Sequence, residues 1–157
     1  MEYASLIPEP VLALLREEST LSLATVSSEG EVSIAPVFYY VDHHLHLYWF
    51  SSAKSEHSRN LRYKSIVSAS VYHATAEWKQ IRGVQMRGTV QKILGKVERE
   101  SVSRAYRERF HLGSIFQIAM NESVLYRLEP TWIRYLDNGV HFGYKKEYRK
   151  LGGIYEE

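Results

Sequence analysis

Two stretches hold most of the residue types that could do chemistry. The first, YYVDHHLHLYWFSS over Tyr39–Ser52, places Asp42, His43, His44 and His46 within five positions. Histidine and aspartate at that spacing can bind zinc, but a zinc site needs a third and usually a fourth ligand. The other histidines, at 57, 73, 111 and 141, fall on scattered segments, and nothing in their positions brings them to the first three. A solvent-facing hairpin tip also accounts for the cluster, because aspartate favours turns. With Leu45 and Leu47 facing a core, strand alternation would set His44 and His46 together on the other face. The tip is the simpler reading, and no metal is assigned.

The second stretch, SSAKSEHSRNL, gathers Ser51, Ser52, Lys54, Ser55, His57, Ser58, Arg59 and Asn60 where a strand gives way to a helix. Hydroxyls, cations and the free N–H groups of a helix start together suit an anion. Phosphate is the natural guest, since Arg59 can offer a fork and the helix dipole attracts negative charge. The plainer alternative is that Ser55 is an N-cap and the charges are a solvated helix face. A third cluster, RGVQMRG over residues 82–88, sets Gln85 and Arg87 on one strand face between Gly83 and Gly88. Glycine inside a strand marks either close approach by a ligand or a bulge at a barrel corner. No Ser-His-Asp order, paired-carboxylate pattern or P-loop is present, so hydrolysis has no visible machinery.

The elements that would position these groups follow from hydrophobic period. Residues 8–18 predict a short helix with Pro10 in its first turn and Val11, Leu12, Leu14 and Leu15 as its apolar stripe. TLSLATVS, VSIAPVFYYV and LHLYWFSS then predict a three-strand meander joined by a turn at Gly30 and a second at DHH. KSEHSRNLRYK reads as a helix and SIVSASVYH as a fourth strand. Residues 79–94 predict a long strand with Val84, Met86, Gly88 and Val90 on one face. Residues 96–110 predict a helix, and residues 123–137 a final strand, bent or at an edge because of Pro130. Tight turns between strands predict an antiparallel sheet closing into a barrel, so that few edges stay exposed. The class is α+β, in a single domain over residues 1–157.

Composition removes several functions. There are no cysteines, which excludes disulfides, thiolate metal sites and cysteine nucleophiles. Net charge is +2, short of the clustered excess of a nucleic-acid binder. A barrel using its twelve tyrosines as stacking platforms for nucleic acid is a third-ranked reading, and the charge speaks against it. The start, MEYASLIPEP, carries Glu2 and no basic region, and no stretch reaches membrane-spanning length. The expectation is a cytoplasmic protein without membrane or nucleic-acid partners.

The order of these segments resembles the pyridoxamine 5′-phosphate oxidase-like, FMN-binding split-barrel superfamily. TLSLATVSSEGEVSIAPVFYYVDHHLHLYWFSSAKSEHSRNL is similar to that family's meander and phosphate segment, IRGVQMRGTVQKI to its long strand, and LYRLEPTWIRYLDNGVHFG to its last strand. The later segments look most like an uncharacterised bacterial branch. The resemblance implies a six-stranded antiparallel Greek-key split β-barrel with flanking helices, and a homodimer with FMN at its interface. It implies that Pro36, Val37, Phe38 and Tyr39 run beside the flavin ring, with Phe50, Ser51 and Ser52 next to ring and ribityl chain. Lys54, Ser55 and His57 would hold phosphate, with Arg59 and Asn60 near it. Gln85 and Arg87 would reach the flavin from the partner, and Trp132 with the FGYKK tail would cover the ring. The activity implied is that of a flavin-dependent oxidoreductase or flavin reductase using a small-molecule substrate or an electron donor such as NAD(P)H. The alternative is a non-catalytic flavin- or haem-binding carrier. KSEH departs from the family's usual phosphate run, and KLGGIYEE lacks the C-terminal pattern that holds the pyridoxal substrate, so the true oxidase is not implied.

Overall fold

The computed structural model describes residues 6–157; the first five residues, Glu2 among them, lie outside the described residues. Helix α1 (Glu9–Glu17) buries Val11, Leu12, Leu14 and Leu15, the stripe its period predicts. Strands β1 (Thr20–Val26) and β2 (Val32–Phe38) pair antiparallel from Val26↔Val32 to Thr20↔Phe38. In both, odd positions turn inward and even positions outward, as Leu21, Leu23 and Thr25 show by their burial. The chain continues through Tyr39 into the two-residue β3 (Tyr40–Val41), which pairs with β4 (Leu47–Ser51).

The predicted three-strand meander does not form. β4 does not pair with β2 but with the start of β7 (Val124–Asp137), through Leu47↔Leu128 to Ser51↔Val124. The segment from Val32 to Val41 is one bent strand, so its first half faces β1 and its second half belongs to a hairpin across the barrel. Periodicity reports which face a residue takes, not which strand it joins.

Helix α2 (Glu56–Tyr63) leads to β5 (Ile66–Tyr72), a short 3₁₀ turn at Trp78–Gln80, and the long β6 (Arg82–Lys92). Helices α3 (Lys96–Phe110) and α4 (Ser114–Asn121) precede β7, and β8 (Lys145–Leu151) and β9 (Ile154–Glu156) follow it. The sheet runs β2-β1-β5-β6-β7-β4-β3, with β8 and β9 added along β7. The result is the predicted α+β split barrel, with three more strands than expected because β3 is split off and the tail after β7 forms a hairpin. β7 is therefore not at an edge: it pairs with β6 throughout and with β4 and then β8 on its other side.

Pro130 fits because a bulge between Arg87 and Gly88 breaks the β6–β7 register there. A Cβ on Gly88 would sit 2.2 Å from the Glu129 carbonyl oxygen, so the close crossing of these strands needs glycine. Inside, Leu21, Leu23, Leu47, Val84, Met86 and Ile133 are buried with Trp49, which stacks on Tyr126 at 5.7 Å. Asn60 of α2 closes one end of the barrel, donating to Thr25 Oγ1 at 3.0 Å and Ser33 Oγ at 3.2 Å. Tyr39 reaches the other end, donating to the Leu15 carbonyl of α1 at 2.6 Å.

Candidate functional site

The β4–α2 junction is a compact polar turn. Ser55 is the α2 N-cap and accepts the Ser58 N–H, so the first N–H groups of the helix point out of the turn without intrahelical acceptors. His57 Nε2 lies 2.8 Å from Ser51 Oγ and 3.2 Å from Ser55 Oγ, tying the strand end to the cap. Burial lowers the His57 pKa below 6.5, against a weaker opposing pull from Glu56. The ring is therefore neutral at neutral pH and positions hydroxyls; it adds no charge. Positive charge comes from Lys54, which is exposed, and from two arginines wrapped round the loop. Arg59 donates to the Lys54 carbonyl, and Arg62 to the Ala53 carbonyl at 3.3 Å. Arg62 has no part in the sequence reading. Its place in the last turn of α2 reads as an ordinary dipole partner until the loop is seen to fold back against it.

The remaining predicted residues separate. Phe38 and Phe50 both pack edge-on against Tyr106 of α3, at 5.7 and 5.4 Å between ring centroids. Tyr106 also donates to the Phe38 carbonyl at 2.7 Å, so α3 bridges the gap between β2 and β4. Val37 and the Tyr39 side chain are core, and Asn60 is spent on the barrel end. Pro36 faces outward on β2, a position open to proline because that strand has a ladder partner on one side only.

Gln85, Arg87 and Trp132 belong to a second feature on the outer face of the sheet. Ile34, Ala24, Ser68, Arg87 and Trp132 stand in register across β2, β1, β5, β6 and β7. Pro36, Ser22, Ser70, Gln85 and Arg134 form the next row. Small residues in the middle and tall ones at the side make a trough of about 330 Å³. Its wall is braced: Trp132 Nε1 donates to Glu147 at 3.1 Å, and Arg134 donates to the same carboxylate at 2.6 Å. The Arg87 guanidinium lies 4.2 Å over the Trp132 ring, a cation–π contact. Bonds from Arg134 and then Trp132 hold the Glu147 carboxyl below its ordinary range. Arg134, Glu147 and the serines are absent from the sequence reading; their alignment depends on pairings far apart in the chain. Phe142 of the FGYKK tail meets Trp78 instead, at 5.8 Å.

The polar turn and the trough are separate features, and no residue of the Ser51–Asn60 turn lines the trough. At the β3–β4 tip, Asp42 Oδ1 accepts the His44 and His46 N–H groups at 2.9 Å each. Leu45, at φ 62°, reaches the core through this left-handed turn position and not through strand alternation. Among the described residues no three His, Asp or Glu side chains converge as metal ligands.

Comparison with known proteins adds to this geometry. A family model described as pyridoxamine 5′-phosphate oxidase matches residues 7–137, from α1 to the end of β7. The chain belongs to the pyridoxamine 5′-phosphate oxidase family. The UPF0306 protein Ent638_3591 of Enterobacter sp. (strain 638) is 29% identical over 121 residues, covering 76% of this chain and 81% of that protein. The conserved hypothetical protein Rv2991 of Mycobacterium tuberculosis shares the fold with a TM-score of 0.71 at 22% identity, over 84% of this chain and 86% of that one. HutZ of Vibrio cholerae, described as a haem storage protein, gives 0.66 at 24% identity, over 78% and 89%. Among the described residues no helix is long and apolar enough to cross a membrane.

Proposed function

We infer that this family member binds FMN between two copies of the chain and acts as a flavin-dependent oxidoreductase. The observation that carries the reading is that the polar β4–α2 turn and the trough share no residue within one chain. The residues fit the cofactor. Ser51 and Ser52 hydroxyls, the α2 N-terminus and the cations Lys54, Arg59 and Arg62 suit a phosphate. The trough offers Gln85, Arg87 and Trp132 to the polar edge and face of a planar ring. Bound FMN would supply the electron-transfer chemistry; the protein orients it and sets its surroundings. The electron donor in this reading is a small molecule such as NAD(P)H.

The test is a titration of the purified protein with FMN, followed by flavin fluorescence and visible absorbance. Saturable change is expected, and replacing Lys54 and Arg59 together by alanine weakens it at least about tenfold, roughly 1.4 kcal/mol. Unchanged spectra overturn the reading. A second reading, a haem-carrying protein without turnover, is favoured by the fold shared with HutZ. A Soret band on haem addition, with no FMN-stimulated NAD(P)H oxidation, selects it.

A further inference from the structure

β7 changes partner along one edge. Its residues 124–128 pair with β4 and its residues 132–136 with β8, so among the described residues 129–131 have no strand on that side. The β3–β4 hairpin and the β8–β9 hairpin splay apart over this gap and leave a cleft of about 540 Å³. His44 and His46 line it from one hairpin, Lys150 from the other, and Arg127, Glu129 and Thr131 from the β7 floor. No residue of either flavin half-site lines it.

The chemistry of the lining is directional. Two cations border the cleft, each paired with a carboxylate, Lys150 with Glu129 and Arg127 with Glu98, and each keeps further N–H donors. Lys150 gives one N–H to Glu129 at 2.7 Å, and an ammonium carries two more. Arg127 is held in place by Glu98 and Gln91, each at 2.8 Å, so its charge is positioned beside the cleft and not free to swing away. Asp42 Oδ2 sits 3.3 Å from His46 Nδ1 and fixes that ring. In the neutral imidazole this makes Nδ1 the donor and Nε2 the acceptor. The cleft therefore offers positive donors to an anionic group and an imidazole nitrogen to a hydroxyl. Its volume is that of a small-molecule site.

We propose that this split between the two hairpins is a second ligand site, for a small anion that carries a hydroxyl group: a hydroxy acid or a polyol phosphate. It is separate from the flavin site and does not depend on it.

The experiment follows the histidine imidazole signals of the full chain by NMR during titration with citrate, with glycerol 3-phosphate, and with glycerol as the neutral control. Saturable shifts of His44 and His46 with one or both anions, at a dissociation constant below about 1 mM, are expected. The arm that saturates tells carboxylate from phosphate. Lys150→Met weakens binding at least about tenfold. Thr131→Glu, which adds a negative charge at an exposed position and leaves the core untouched, abolishes it, while FMN titration stays as in the unaltered chain. No saturable shift with either anion, equal shifts with glycerol, or undiminished binding in Thr131→Glu overturns the proposal.

Discussion

At the scale of residues, Asp42 shows how a cluster chosen for its chemistry is first a piece of structure. Its carboxylate accepts two backbone N–H groups, lies beside His46 Nδ1 and accepts the Tyr48 hydroxyl at 3.2 Å. Burial alone would raise its pKa, but the bonds from His46 and His44 outweigh it and hold the group below 3.8. A depressed carboxylate stabilises the fold above its unfolded pKa, and that stability is lost as pH falls through the lower folded value. Asp42→Ala is therefore expected to cost about 1–3 kcal/mol at neutral pH, the penalty for orphaning buried donors. The cost shrinks as the pH is taken down through the acid range to about 2. Urea unfolding of both chains at the two pH values checks this. An equal cost at both would mean that the charge of Asp42 plays no part.

At the scale of elements, the β6–β7 crossing is the tightest local demand. Any side chain at Gly88 meets the Glu129 and Pro130 backbone. Gly88→Ala should lower stability by about 1–3 kcal/mol or more, read as a fall in the urea midpoint at unchanged slope. A loss near zero would show that the two strands separate at little cost. The same element marks the limit of what can be read from sequence. Alternation in β1, β2 and β6 and the stripe of α1 were legible because each is a local period facing one core. The crossing of β4 to β7 was not, because pairing is set by contacts 75 positions apart, as between Phe50 and Leu125. β8, KKEYRKL, turns only Tyr148 fully inward and so reads as a charged tail. α4 leaves Ile115 and Ile118 exposed and buries Met120, which blurs its helical stripe. For the site, the local half at Ser51–Asn60 was visible as a run of residues. The half built from Ser22, Ser68, Ser70 and Arg134 exists only after five strands are laid side by side.

At the scale of the whole molecule, the outer face poses a problem that a second copy would solve. Val32, Ile34 and Ile66 stand 75%, 72% and 60% exposed on the same side as the trough. Beside them Ala24, Ser22, Ser68 and Ser70 are short, so another sheet can approach closely, near the 10 Å usual for packed faces. A stable dimer buries roughly 800 Å² per partner, within reach of a face this wide. In the proposed arrangement the two half-sites meet only when that face is covered, which couples assembly to cofactor binding. Ile34→Lys places a charge on that face, at its β2 edge, without touching the core, since Ile34 points outward. The expected outcome is a folded monomer by light scattering, with circular dichroism unchanged and FMN affinity reduced at least about a hundredfold, roughly 2.7 kcal/mol. If Ile34→Lys is monomeric and binds FMN as before, each chain holds a complete flavin site and the interfacial arrangement is wrong. If it remains dimeric with FMN affinity intact, the copies meet through another face. Both results would leave the cleft at the hairpin split unaffected, because that cleft is built from one chain.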